Sequence, residues 1–193
     1  MVKVRSNIPF RLSKELAGLD GTIGIGTVTD PYQYAEKRFK ITQKCLILLK
    51  QKDFRIHLHT KSDLVLRDME MLASMRGEVG ITITSVEDKF SKITEPGAPL
   101  PAKRIDALKQ LTAAGIDTYA LIGPVLNHLE GKEEEFVNAI ASTGVKRAYI
   151  DGLNSRPLLT ERLNRMNIRG SESSKEKIRL LAVAQGIVVK DVF

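Results

Sequence analysis

Residues 112–122 run Thr112-Ala113-Ala114-Gly115-Ile116-Asp117-Thr118-Tyr119-Ala120-Leu121-Ile122 and pass from a helical segment through a glycine into a β-branched, apolar run. The preceding segment, opened by Pro101, places Ile105, Leu108 and Leu111 on one helical face. Gly115 suits the left-handed position after a helix end. Gly115 is followed by a run that contains β-branched and aromatic residues, and these types are enriched in strands. The stretch therefore predicts one helix–glycine–strand unit.

The same unit recurs along the chain, although one break ends in aspartate instead of glycine. In these repeats the predicted strands are residues 54–59, 79–84, 145–150 and 187–192. Residues 22–28 predict a further strand ahead of them. About six strands alternating with helices indicate an α/β fold with a parallel sheet of βαβ units. The polar stretch Arg169–Ser174 divides a body, residues 1–170, from residues 171–193, a helix and strand appended to the same domain.

The composition indicates a soluble globular protein, with 42% hydrophobic and 27% charged residues. No apolar run has membrane-spanning length, residues 1–5 lack the apolar region of a signal peptide, and the single cysteine, Cys45, favours a reducing cytoplasm. The formal net charge of +7 favours an anionic partner such as nucleic acid. The alternative is that these basic residues, spread along the chain, only solvate helix faces.

Polar residues follow five of the predicted strands at the point where each apolar run stops. In parallel α/β folds, ligands bind at the carboxyl ends of the strands, so these residues predict a polar site at one edge of the sheet. They are residues 27–30, 59–62, 84–85, 123–127 and 151–154.

An ordered set of motifs over about residues 1–155 resembles the radical S-adenosylmethionine (radical SAM) superfamily, on its spore-photoproduct-lyase-like branch. The set begins with Gly24-Ile25-Gly26-Thr27-Val28-Thr29-Asp30-Pro31-Tyr32-Gln33 and continues with Leu58-His59-Thr60-Lys61-Ser62, Val79–Thr84, Glu95–Pro99, Arg104–Gly115 and Gly123-Pro124-Val125-Leu126-Asn127. The resemblance implies a partial parallel (β/α) TIM-type barrel, S-adenosylmethionine and a [4Fe–4S] cluster as cofactors, and lyase chemistry of the DNA-lesion-repair type.

The resemblance also implies a set of cofactor-binding residues. Thr27, Thr29, Asp30 and Tyr32 would line the sulfonium and ribose side, and Lys61 would face a carboxylate or phosphate. Thr84 and Ser85 would donate hydroxyl groups, and Asn127 would hold the nucleoside. Simpler roles stay open for four of these positions, since Thr29 and Asp30 suit a helix cap, Asn127 a turn and Lys61 a surface lysine.

The chain departs from the family pattern in its cysteines. The CxxxCxxC loop that would supply three cluster ligands is absent, and Cys45, within an apolar helical segment, fits a core thiol better than a ligand. We therefore expect an incomplete radical SAM enzyme, inactive in radical chemistry as this chain alone. The alternative is a non-catalytic partial barrel that binds an adenosine-containing ligand, phosphate or nucleic acid. Either way, the strand at residues 22–28 should form an unpaired edge, which the N-terminal segment, the C-terminal strand or another subunit should cover.

No other catalytic constellation stands out, so the catalytic residues remain unknown at this stage. His57 and His59 share one strand face by their period-two spacing, but without a third ligand they are interpreted as sheet residues and not as a metal site.

Overall fold

The computed structural model describes residues 4–154 and 157–192 and contains the six predicted strands in one sheet. All neighbouring strands are parallel and follow chain order, β1-β2-β3-β4-β5-β6. This confirms the predicted α/β class and agrees with a partial parallel (β/α) barrel. The strands are β1 Thr22–Ile25, β2 Arg55–Thr60, β3 Gly77–Thr82, β4 Thr118–Ile122, β5 Arg147–Ile150 and β6 Val188–Asp191.

Helices connect successive strands, as the repeated unit predicts. They are α1 Ile8–Glu15, α2 Glu36–Phe39, α3 Ile41–Gln51, α4 Met69–Ala73, α5 Asp88–Thr94, α6 Pro101–Ala113, α7 Glu133–Ala141, α8 Pro157–Arg165 and α9 Glu172–Ala184, with 3₁₀ turns at Asp63–Asp68 and Asn127–Leu129. The role of helix cap suggested for Asp30 is wrong, because after β1 the chain first becomes helical at Glu36. No helix among the described residues is both long and apolar enough to cross a membrane.

The two faces of the sheet differ sharply in chemistry. One face carries buried aliphatic residues that pack under the helices, among them Ile56, Leu58, Ile81, Ile122 and Ile150. Because side chains alternate along a strand, the intervening residues lie on the opposite face. We call this second face the open face, defined by His57, His59, Glu78, Tyr119, Leu121, Arg147 and Tyr149.

Both ends of the sheet are edges within the described residues. β1 pairs only with β2, and β6 pairs only with β5. The predicted unpaired edge at β1 is therefore present, and the C-terminal strand β6 does not pair with it. Its cover by the N-terminal segment or another subunit stays a prediction. The C-terminal segment joins the same sheet through β6, and α9 packs on α7, where Ser174 Oγ donates to Glu133 at 2.9 Å. The proposed division at residue 170 stays a prediction.

Candidate functional site

A hydrogen-bonded group of side chains forms the floor of the open face. The ring of Tyr119 lies against Gly80, where an added Cβ would sit 2.2 Å from the ring carbons. Its phenol oxygen is 3.0 Å from His57 Nε2, and the Tyr119 and His57 rings stack with their centroids 5.2 Å apart. Only glycine at position 80 leaves room for this arrangement, so the backbone of β3 helps to position both rings.

Glu78 connects this group to β5. Its carboxylate lies 2.6 Å from His57 Nδ1 and 2.7 Å from Arg147, whose guanidinium also donates to Asp117 at 2.5 Å. Burial by itself raises the pKa of Glu78, but the bonds from His57 and Arg147 outweigh it and hold the pKa below its usual value. Burial, followed by the charge of Glu78, raises the pKa of Tyr119. The floor is therefore an ordered, charged network that fixes the His57 ring.

Above this floor lies a cavity of about 370 Å³ lined by Thr27, His57, His59, Tyr119, Leu121, Tyr149 and the end of β6. Tyr149 packs edge-on against Tyr119 with ring centroids 4.9 Å apart. Burial, and secondly the proximity of His57, lowers the pKa of His59, which favours its neutral ring. The cavity thus offers flat aromatic surfaces with a few hydrogen-bonding groups, the composition typical of small-ligand sites.

The cavity continues towards the carboxyl ends of the strands into a rim cavity of about 500 Å³. The two share Thr27, His59, Leu121 and Val192, while the rim adds residues that follow β4 and β5. The ends of β4 and β5 approach closely at Gly123, where an added Cβ would lie 2.9 Å from Asp151 Cβ. Asn154 donates to the Asp151 carboxylate at 3.3 Å, so that polar groups edge this end of the site.

The structure places the predicted residues that follow β1 at two different locations. Thr27 lines both cavities of the open face, whereas Thr29 and Asp30 line a separate groove beside α1 and α2. Asp30 accepts hydrogen bonds from Tyr32 N, Thr60 Oγ1 and Lys61 N at 2.6–2.9 Å, so its carboxylate holds the loop between β1 and α2. Tyr32 is buried, and its hydroxyl donates to Asp68 at 3.0 Å.

The predicted residues that follow β2 and β3 meet in a buried ion cluster. Glu95 lies 3.4 Å from Lys61 Nζ and 2.7 Å from Arg104, and it accepts a bond from Thr84 Oγ1 at 2.8 Å. Burial raises the pKa of Glu95, but Arg104 and then Lys61 outweigh that effect and lower it. Ser85 accepts from Glu87 N at 2.9 Å and caps a turn.

Asn127 also has a structural contact. Its side chain donates to Asn167 O and accepts from Arg169 N, both at 3.1 Å, which joins the segment after β4 to the segment before α9. Of the eight predicted cofactor-binding residues, therefore, Thr27 alone lines the cavities of the open face, and six others have side-chain contacts within the protein.

The sequence interpretation missed the residues that shape the open face. His57 and His59 were assigned to the sheet, which is where they lie, but Glu78, Tyr119, Arg147 and Tyr149 were not considered. Asp151, by contrast, was among the strand-end residues predicted to edge a polar site, and it lines the rim. A signal was present, because a parallel sheet covered on both faces has almost continuously apolar strands. Charged and aromatic residues at alternate positions of β2, β3, β4 and β5 indicate that one face is open.

The residues present do not fit an iron–sulfur cluster. Such a cluster needs several thiolate ligands, and Cys45 is half-buried on α3, where burial raises the pKa of its thiol to about 11. Within residues 4–154 and 157–192, no group of three histidine, cysteine or carboxylate side chains is arranged to hold a metal ion.

Comparison with known proteins finds relatives in archaea, bacteria and a virus, while no protein-family model matches the chain. The chain is 38% identical over 146 residues to MJ0683 of Methanocaldococcus jannaschii, covering 71% of this chain and 54% of that protein. It is 28% identical over 165 residues to Rv2578c of Mycobacterium tuberculosis, covering 80% of this chain and 48% of that protein. To ORF301 of Acidianus two-tailed virus it is 26% identical over 142 residues, covering 68% and 46%. The chain therefore spans about half the length of the curated relatives it matches.

Solved structures share the fold at low sequence identity. Spore photoproduct lyase complexed with dinucleoside spore photoproduct superposes with a TM-score of 0.67 at 14% identity, over 99% of this chain and 68% of that one. SuiB of Streptococcus suis bound to S-adenosylmethionine superposes with a TM-score of 0.61 at 13% identity, over 95% of this chain and 42% of that one. A domain of pyruvate-formate lyase-activating enzyme from Bacteroides vulgatus superposes with a TM-score of 0.60 at 11% identity, over 78% of this chain and 91% of that one. The six parallel strands and these superpositions confirm the predicted resemblance at the level of the fold: the chain has the partial barrel of the radical SAM proteins, spore photoproduct lyase among them.

Proposed function

We propose that the open face binds an adenosine-containing ligand, S-adenosylmethionine above all, with the adenine over the floor and the rest of the molecule along the rim. The observation that carries this proposal is the aromatic cavity, which shares four lining residues with a rim cavity at the carboxyl ends of parallel strands, where Asp151 and Asn154 supply polar groups. Ligands of α/β folds bind at this end of the sheet.

The floor supplies what a nucleobase requires. Tyr149 and His59 offer ring surfaces for stacking, and stacking on an aromatic ring contributes about 1–3 kcal/mol per base. The network through Glu78 and Arg147 holds His57 and Tyr119 in place before any ligand arrives, which lowers the entropic cost of binding. At the rim, Asp151 is suited to accept hydrogen bonds from ribose hydroxyl groups.

The same chain is proposed to form part of a radical SAM enzyme related to spore photoproduct lyase, with a nucleic-acid lesion as its substrate. The shared fold, the +7 net charge and the dinucleoside photoproduct in the spore photoproduct lyase complex support this substrate class. When bound with its cluster, S-adenosylmethionine supplies radical chemistry to this superfamily. Since Cys45 and its surroundings do not fit a cluster, this chain by itself is proposed to bind ligand without radical turnover.

A non-catalytic ligand-binding protein is the second candidate. It is favoured by one observation, the absence of a metal-binding group of side chains among the described residues. Both candidates use the same cavity, so the ligand-binding proposal does not depend on the choice between them. The DNA immediately upstream of Met1 separates them, because an in-frame or neighbouring CxxxCxxC motif would favour the catalytic candidate and its absence would favour the second.

Calorimetric titration with S-adenosylmethionine tests the ligand proposal. Without a cluster to engage the amino-acid end, we expect a dissociation constant of about 0.1 mM or weaker. Tyr149→Ala should weaken binding about tenfold through lost stacking. Tyr34→Ala, which removes an exposed tyrosine away from the open face, is the matched control and should leave binding unchanged. Equal effects of the two substitutions would reject the open face as the site.

A further inference from the structure

A second surface, separate from the open face, combines exposed aromatic and basic side chains. It is a groove of about 600 Å³ lined by Tyr34, Lys37, Arg38 and Phe39, with Val4, Ser6 and Ala35. We call it the basic groove. It adjoins the groove that contains Arg5, Thr29 and Asp30, because Val4, Ala35 and Phe39 line both. Together they form a continuous trough between α1 and the segment that follows β1.

The cations of the basic groove are not neutralised by carboxylates. Lys37 and Arg38 are exposed, as is Arg5 in the adjoining groove, and none of the three forms an ion pair with another described residue. The acidic side chains that line the adjoining groove are already engaged. Glu36 is buried and paired with Arg67 at 2.9 Å, and Asp30 accepts the three hydrogen bonds that hold its loop. The basic groove therefore has two unpaired positive charges, Lys37 and Arg38.

The aromatic rings of the groove lie among these cations. Tyr34 is 87% exposed and has Lys37 Nζ 5.6 Å from its ring centroid, and Phe39 is 37% exposed with the Arg38 guanidinium at 5.4 Å. Such large exposed rings are costly to hydrate and are not needed for the core. Aromatic rings beside unpaired cations are the features that bind single-stranded nucleic acid, where bases stack on rings and phosphates meet the cations.

From this juxtaposition we propose that the basic groove binds a single strand of nucleic acid, with one base stacked on Tyr34 and the adjacent phosphates near Lys37 and Arg38. A duplex does not fit this chemistry, because its bases are stacked on one another and cannot cover an exposed ring. The inference deepens the nucleic-acid part of the proposed function by naming the contact surface. It does not depend on ligand binding at the open face.

Fluorescence anisotropy at several salt concentrations tests the groove with labelled oligo(dT) and oligo(U). Each oligonucleotide has about 12 nucleotides, a length within the usual site sizes for single strands. Tyr34→Ala should raise the dissociation constant about tenfold, and Tyr34→Phe, which keeps the ring, should restore most of the affinity. Arg38→Ala should reduce the slope of log affinity against log salt by about 0.7. Lys109→Ala, which removes an exposed charge on α6, should leave that slope within error.

Three outcomes would overturn the proposal. They are no binding by the unaltered protein at low salt, equal losses for Lys109→Ala and Arg38→Ala, and equal affinity for duplex DNA or an acidic peptide. The last would identify a generic anion-binding surface. Failure of this site remains distinguishable from failure of the open face, because Tyr34→Ala should leave S-adenosylmethionine binding intact. Conversely, Tyr149→Ala should leave oligonucleotide binding intact. Circular dichroism should show unchanged folding for both variants.

Discussion

The phenol oxygen of Tyr119 on β4 lies 3.0 Å from Nε2 of His57 on β2, so the tyrosine reaches across the intervening strand β3. The ring can take this path because Gly80, its neighbour in register on β3, has no side chain. Three strands thus cooperate in one contact. Through Glu78, the contact extends to Arg147 on β5, which makes the floor of the open face a single connected unit.

Gly80→Ala should disrupt this unit. The new Cβ would lie 2.2 Å from the Tyr119 ring, so the ring must move and the bond to His57 must break. We expect a loss of about 1–3 kcal/mol in the free energy of unfolding, measured by urea denaturation. Gly24→Ala on β1 is the matched control, since its Cβ would meet only the Thr27 methyl group at 3.3 Å. Equal stability of the two variants would contradict the packing described for Tyr119.

The ion cluster at Glu95 makes stability depend on pH. Because the folded-state pKa of Glu95 lies below its ordinary value of 4.5, the cluster stabilises the protein fully above that pH. The contribution is lost as the pH falls through the lower, folded-state pKa. Glu95→Gln leaves Arg104 buried without its counter-ion and should cost about 3 kcal/mol at pH 7.

Urea denaturation of the Glu95→Gln and unaltered proteins from pH 7 to pH 3 checks this dependence. The difference between them should shrink at the acid end, where both side chains become neutral. Glu161→Gln, which removes an exposed partner of Arg165, is the control and should cost less than about 1 kcal/mol. A difference that stays constant with pH would show that the charge of Glu95 does not carry the effect.

Anaerobic reconstitution with iron and sulfide tests whether the chain holds a cluster. One half-buried thiol cannot replace three thiolate ligands, so no stoichiometric [4Fe–4S] absorbance should develop. Cys45→Ser should give the same spectrum as the unaltered chain. A stoichiometric cluster signal that disappears in Cys45→Ser would contradict this prediction and would favour the catalytic candidate for the chain alone.

The fold could be predicted from local patterns, whereas the direction of individual side chains could not. Gly115 and the β-branched run after it identify β4 because helix ends and strands have local chemical requirements. Tyr32 and Asn127 lie in the segments that follow β1 and β4. Their partners, Asp68 and Asn167, lie 36 and 40 residues away in sequence, so no local pattern shows that these side chains bond within the protein.

The contacts of the open face depend on how the strands pair in the sheet. His57 and Tyr119 are separated by 62 residues, and their contact follows from the register of three strands and from Gly80. The sequence carries a partial signal in the alternation of polar and apolar residues along β2. That alternation identifies an uncovered face, but it does not show which side chains meet across the sheet.

Amide chemical-shift mapping during titration with S-adenosylmethionine tests the central claim, that the open face is the adenosine-binding site. The titration runs to about 10 mM ligand, so that the site is mostly occupied even if the dissociation constant is about 1 mM, tenfold weaker than the tightest value expected. The predicted result is a set of shifts at His59, Leu121, Tyr149 and Gly152, with Tyr34 and Phe39 unchanged. Shifts confined to Thr29, Tyr34 and Phe39, or no shifts anywhere in the chain, would contradict it.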